Sequence, residues 1–135
     1  MSGFELATPV ALFLYRRPEC TVESFRAVSA QQPPKLLIVA DGPKSDQERE
    51  RCLAARRIVE RIDWPCEVLR NYSDTNLGCR RRMWTGLDWV FSLVDRAILI
   101  EDDCVPHASF FRFAEEMLER YKDEPRVMID RKSVV

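Results

Sequence analysis

What most constrains this chain is the alternation of short, unbroken apolar runs with longer segments whose apolar residues recur at helical spacing. Residues 9–15 form an apolar run too short for a typical helix, closed by Arg16-Arg17-Pro18. Residues 35–40 form another, stopped by Asp41-Gly42-Pro43. Residues 66–70 and 97–100 read as a third and a fourth strand, and residues 126–129 as the start of a fifth. Continuous hydrophobicity of that length suits strands buried on both faces, as in a parallel sheet. Four helices are expected between them, carried by Val22, Phe25 and Val28; by Cys52, Ala55, Val59 and Ile62; by Met83, Leu87, Val90, Phe91 and Val94; and by Phe110, Phe113, Ala114, Met117 and Tyr121. Pro18 suits a first helical turn, Ser45 and Glu48 have capping-box spacing, and Trp64-Pro65 closes the second helix. The predicted class is α/β, a three-layer Rossmann-like fold with a mainly parallel sheet and right-handed crossovers. Residues 1–135 read as a single domain, with no internal repeat, low-complexity stretch or linker.

Composition narrows the partners. With 21 basic and 22 acidic residues the net charge is -1, which argues against nucleic acid or a membrane surface. Five cysteines (Cys20, Cys52, Cys66, Cys79 and Cys104) are odd in number and hold no Cys-x-x-Cys pair. That pattern disfavours a zinc site or a disulfide framework and fits reduced thiols in a cytoplasmic protein. No signal-peptide pattern follows Met1, and no apolar run is long enough to span a bilayer. The single histidine, His107, excludes His-based triads and reads as a helix-start residue. Trp64, Trp84 and Trp89 read as packing residues. Neither Gly-x-Gly-x-x-Gly nor a P-loop sequence is present.

The chemistry gathers where strands end, the edge at which open α/β sheets bind ligands. Glu101-Asp102-Asp103 closes the fourth strand. Three adjacent carboxylates repel one another and call for a nearby cation or full hydration. Side-chain alternation puts Glu101 and Asp103 on one side and Asp102 on the other. One side then suits a hard divalent ion and the other ribose hydroxyls; alternatively, Asp102 and Asp103 cap the following helix. Arg80, Arg81 and Arg82 open the third helix behind Asn76-Leu77-Gly78, a combination fit for a diphosphate or simply a solvated face paired to Glu101 or Asp88. Asp41 is either a turn residue or an acceptor for the N–H of a uracil ring.

Taken together, these segments resemble a known family. Residues 97–106 (Ala-Ile-Leu-Ile-Glu-Asp-Asp-Cys-Val-Pro), followed by Ser109-Phe110-Phe111, resemble the acidic metal motif of GT-A-fold glycosyltransferases. The Glu-Asp-Asp version is similar to that of N-acetylglucosaminyltransferase I and of bacterial relatives labelled hemolytic-protein-like. Tyr15-Arg16-Arg17-Pro18 resembles their opening strand end, residues 39–43 their second-strand aspartate segment, and Asn76-Leu77-Gly78 the loop before the diphosphate-side helix. The resemblance runs from about residue 8 to residue 128, with the motifs in the expected order.

It implies a metal-dependent donor domain that binds a nucleotide-diphosphate sugar, UDP-sugar favoured, for transfer to an acceptor hydroxyl. Arg17 and Asp41 would lie near the nucleoside and Asp102 on the ribose side. Arg80, Arg81 and Arg82 would lie near the diphosphate, with Mn²⁺ or Mg²⁺ on Asp103 and Glu101. Family members continue well past residue 135, and the tail 130–135 departs from their pattern, so a truncated GT-A fragment is expected. Such a fragment would lack the acceptor half and a catalytic base, would transfer poorly alone, and would dimerise through its truncated edge. The competing readings are a nucleotidyltransferase, a phosphoacceptor domain, and a catalytically inactive nucleotide- or metal-binding domain.

Overall fold

Strand β1 (Val10–Leu14) is buried at every residue, which places it inside the sheet rather than at an edge. A computed structural model describes residues 4–124 of the chain. Strands β1, β2 (Lys35–Ala40), β3 (Glu67–Tyr72) and β4 (Ile98–Glu101) form one parallel sheet in the order β3-β2-β1-β4. Helices α1 (Pro18–Gln31), α2 (Asp46–Ile58) and α3 (Cys79–Leu93) connect the strands, and α4 (Ala108–Arg120) follows β4. The register pairs Leu14 with Ala40, Ala40 with Tyr72, and Phe13 with Glu101, so the four carboxyl ends finish almost level.

The two faces are covered unequally, and right-handed crossovers explain why. Steps from β1 to β2 to β3 run in one direction, so α1 and α2 fall on the same face. The step from β3 to β4 runs back across the sheet and sends α3 to the opposite face. On the first face Leu12, Leu36, Ile38, Ile98 and Ile100 pack with Phe25, Val28, Ala55, Phe111 and Leu118. On the second, Ala11, Phe13, Leu37, Val39 and Leu99 pack with Val90 of α3. Helix α4 joins the first face, because Phe111, Ala114 and Leu118 belong to that core. The chain therefore leaves β1, β2 and β4 toward one face. Above α3 the carboxyl edge stays open, bounded there by the start of α3 itself.

The α/β class and the parallel sheet agree with the sequence reading; several details do not. Strand β3 runs two residues past Arg70, to Tyr72, and α2 stops at Ile58, well before Trp64-Pro65. Ser45 caps α2 without a side-chain hydrogen bond, so the capping box is not closed. Instead, Glu48 accepts the N–H of Lys44 at 3.1 Å. The inner face of α4 is Phe111, Ala114 and Leu118, whereas Phe113 is 57% exposed. Trp84 is 66% exposed and packs no core, while Trp64 is buried and donates to the Pro33 carbonyl at 2.8 Å. The predicted fifth strand at 126–129 and the tail 130–135 lie outside the described residues.

Gly86 lets α3 sit close to the sheet. A methyl group there would come within 2.6 Å of Phe13 Cε2 and 2.8 Å of Val39 Cγ1, both in a packed layer. Gly86→Ala is therefore expected to destabilise the protein by about 1–3 kcal/mol, the usual cost of overpacking. Urea unfolding reads this as a lower midpoint at constant slope; an unchanged midpoint would show that α3 has room to move.

Candidate functional site

A cavity of about 340 Å³ opens at the carboxyl edge on the α3 side. Its apolar floor is Phe13, Val39 and Met83, and its polar walls come from the segments after β1, β2 and β4 and from the start of α3.

One wall is the acidic turn. Strand β4 ends at Glu101, so the turn rather than strand alternation places the acids: Glu101 and Asp103 come together, the Asp102 carboxylate accepts the Tyr15 N–H at 3.3 Å, and all three line the cavity. Cys104 donates its N–H to the Glu101 carbonyl at 3.0 Å, closing the turn and bringing its thiol beside the two carboxylates. Candidate ligand atoms of Glu101, Asp103 and Cys104 all lie within 4.8 Å of one another. Two convergent carboxylates, with room for water and phosphate, match the donor set of Mg²⁺ or Mn²⁺; the thiol is a softer, ill-matched donor. Neither aspartate caps α4. That role belongs to His107, whose Nδ1 accepts the Ser109 N–H at 3.1 Å. Among the described residues none of the three acids is in an ion pair.

Asp41 apart, the rest of the charged lining is cationic. Arg17 and Lys44 are exposed, line the cavity and have no ion-pair partner among the described residues. Helix α3 begins at Gly78 with no side-chain cap and no acid in its first turn. Its first N–H groups thus lack partners from a cap side chain, and the nearest negative charge at the positive end of the helix dipole is the Asp41 carboxylate, which holds the Gly78 N–H. Gly78 and Cys79 bring this helix start to the cavity.

Asp41 joins the two walls. It is only 5% exposed. Oδ1 accepts the N–H groups of Gly42 at 2.8 Å and Leu77 at 2.9 Å. Oδ2 accepts the Gly78 N–H and the Asn76 amide, both at 3.2 Å. Four donors match the roughly four lone-pair sites of a carboxylate, so in this structure Asp41 holds the 76–78 loop and keeps no acceptor for a nucleobase. Gly42 is what allows the loop so near, since a methyl group there would meet the Thr75 backbone at 2.6 Å.

The three arginines separate. Arg80 and Arg81 are exposed and are not among the residues lining the cavity. Arg82 lines it but is 7% exposed, and its guanidinium is engaged by the Ala40 carbonyl at 3.2 Å, by Asn71 Oδ1 at 2.7 Å and by the Asn71 carbonyl. Burial lowers its pKa, opposed by the nearby Asp41 charge. Arg82 is thus a brace between α3 and the ends of β2 and β3. A second brace, absent from the sequence reading, is Arg56, which donates to the carbonyls of Asp41 at 3.1 Å and Ser73 at 2.7 Å. Also missed were Lys44, Asn76 and Glu48. Asn76 stood out only as a loop residue, and Glu48 only through its capping-box spacing.

Comparison with protein-family models, with curated proteins and with solved structures finds no match. The functional reading therefore rests on the residues themselves.

Asp102 gives a pH dependence. Burial, helped by the charges of Asp103 and Glu101 and opposed by the Tyr15 hydrogen bond and the Arg17 charge, raises its pKa above the ordinary value. Between the unfolded and folded pKa values the native state holds more protons, so stability falls as pH rises through that window and stays lower above it. Asp102→Asn keeps an acceptor for the Tyr15 N–H and removes the half-buried charge. In metal-free buffer the variant is expected to be the more stable protein near pH 7, with the gap closing below about pH 4. Urea melts across that range check it; a pH-independent gap would contradict the assignment.

Proposed function

We propose that this chain is the donor-binding unit of a GT-A-type glycosyltransferase. It takes the diphosphate of a nucleotide sugar between the acidic turn and the start of α3. The observation carrying this reading is that carboxylates and cations with no ion-pair partner among the described residues line one cavity. A metal-bridged diphosphate satisfies both walls, because it needs a cation on one side and offers anionic oxygens on the other.

In this reading Asp103 and Glu101 hold Mn²⁺ or Mg²⁺, which supplies charge neutralisation to the diphosphate. Arg17, Lys44 and the first N–H groups of α3 orient the phosphate oxygens. Asp102, held by the Tyr15 N–H, faces the ribose side. Asp41 acts through the loop it holds. The apolar floor of Phe13, Val39 and Met83 keeps water from the underside, which strengthens the charged contacts above it. The preference for a uridine nucleotide and a GT-A identity follow the motif resemblance of residues 97–106. Transfer to an acceptor hydroxyl is part of the same proposal, with no catalytic base assigned.

Calorimetric titration of UDP into the metal-free and the Mn²⁺-loaded protein tests this. Binding is expected to need the metal. Asp103→Asn is expected to weaken it by at least the ~10-fold typical of more remote changes around a metal. Arg17→Ala is expected to cost UDP roughly 10-fold or more through a lost charged hydrogen bond, while barely affecting Mn²⁺ alone. Equal UDP affinity with EDTA and with Mn²⁺ would remove the metal from the site.

A further inference from the structure

We infer that Tyr15 is a positioning residue that fixes the spacing between the two walls of the cavity, with Glu48 setting its hydroxyl. The inference rests on the proposed function for its ligand readout and on geometry alone for its structural one.

The two ends of Tyr15 hold different walls. Its backbone N–H donates to Asp102 Oδ2 at 3.3 Å, on the acidic side. Its hydroxyl accepts the Asn76 side-chain amide at 3.0 Å, on the loop that leads into α3. That hydroxyl in turn donates to Glu48 Oε1, and the other oxygen of Glu48 takes the Arg16 guanidinium. Burial first, and then the Glu48 hydrogen bond, pushes the Tyr15 pKa well above the phenol range, so the hydroxyl keeps its proton and its direction.

Asn76 carries the constraint onward. Its two amide hydrogens are shared among Tyr15 Oη, Asp41 Oδ2 at 3.2 Å and the Gly42 carbonyl at 3.0 Å. Asp41 then holds the N–H groups of Leu77 and Gly78, and the Gly78 carbonyl accepts the first helical bond of α3, from Arg82 at 2.8 Å. A path of hydrogen bonds thus runs from α2 on one face of the sheet to α3 on the other, crossing the carboxyl edge at Tyr15. Glu48 does not line the cavity, so any effect it has on a ligand passes through Tyr15, Arg16 or the Lys44 backbone. Without the hydroxyl, Asn76 keeps two acceptors and the loop stays folded, tied to β1 indirectly through Asp41, whose N–H donates to the Leu14 carbonyl at 3.2 Å.

Tyr15→Phe removes the hydroxyl while keeping the ring and the backbone bond to Asp102. Amide exchange by NMR is expected to speed up about 3- to 10-fold at Leu77 and Gly78, the range of one lost hydrogen bond, with Leu12 and Ile38 unchanged. UDP affinity in Mn²⁺ is expected to fall by a similar factor, with the affinity for Mn²⁺ alone unchanged. Glu48→Gln retains an acceptor for Tyr15 and should keep most of the affinity, whereas Glu48→Ala should behave like Tyr15→Phe. Unchanged exchange at Leu77 and Gly78, or faster exchange spread evenly over the strands, would overturn the inference. So would an equal loss of Mn²⁺ affinity. Should the unmodified protein bind no UDP, the proposed function fails, and the exchange data still decide the role of Tyr15.

Discussion

The carboxyl edge is organised around a single nearly sealed carboxylate. Leaving the Asp41 charge at the end of β2 without partners would cost several kcal/mol, and its backbone neighbours alone cannot supply enough donors. The chain meets that demand with three donors from 76–78, a loop more than thirty residues away in sequence. Once those donors are committed, the loop must lie against Gly42, where no larger residue fits. The start of α3 is then fixed in direction. Arg56 from one face and Arg82 from the other tie the carbonyls at the ends of β2 and β3, so the edge is braced from both sides.

The crossover rule decides where this edge is accessible. Segments after β1, β2 and β4 leave toward the face of α1, α2 and α4, and the opposite face carries α3 alone among the described helices. The cavity lies in the space left above α3, floored by Phe13 and Val39 from the sheet face that α3 covers and by Met83 of α3 itself. Acids arrive from the end of β4, and cations from the segments after β1 and β2. Their meeting follows from the β3-β2-β1-β4 order, which sets β4 directly beside β1.

Much of this was legible from patterning. Unbroken apolar runs such as 35–40 announced buried parallel strands, and β2 occupies those very residues. Strand alternation did not decide the acidic triplet, because β4 ends at Glu101 and Asp102 and Asp103 lie in the turn that follows, where the Cys104 N–H closes onto the Glu101 carbonyl. Properties set by tertiary contact were not legible. The arginine triplet looks uniform in sequence, yet a helical turn of 100° per residue buries Arg82 and exposes Arg80 and Arg81. Phe113 lies as well on a helical stripe as Phe111 does, and only the position of the sheet selects between them. Asp41 carries the composition of an ordinary turn, and its role depends on donors remote in sequence. Glu48 has the spacing of a capping box but is drawn off by Tyr15 and Arg16, two residues that no local rule connects to it.

The central claim is that the acids and cations lining this one cavity make a site for a metal-bridged diphosphate. Its most direct test is a crystal structure of the chain grown with Mn²⁺ and UDP, with the metal located by anomalous scattering. The expected result is a manganese peak on the carboxylates of Asp103 and Glu101, with the diphosphate running from it toward Arg17 and the first N–H groups of α3. Manganese bound away from the acidic turn, or UDP seated outside this cavity, would contradict it.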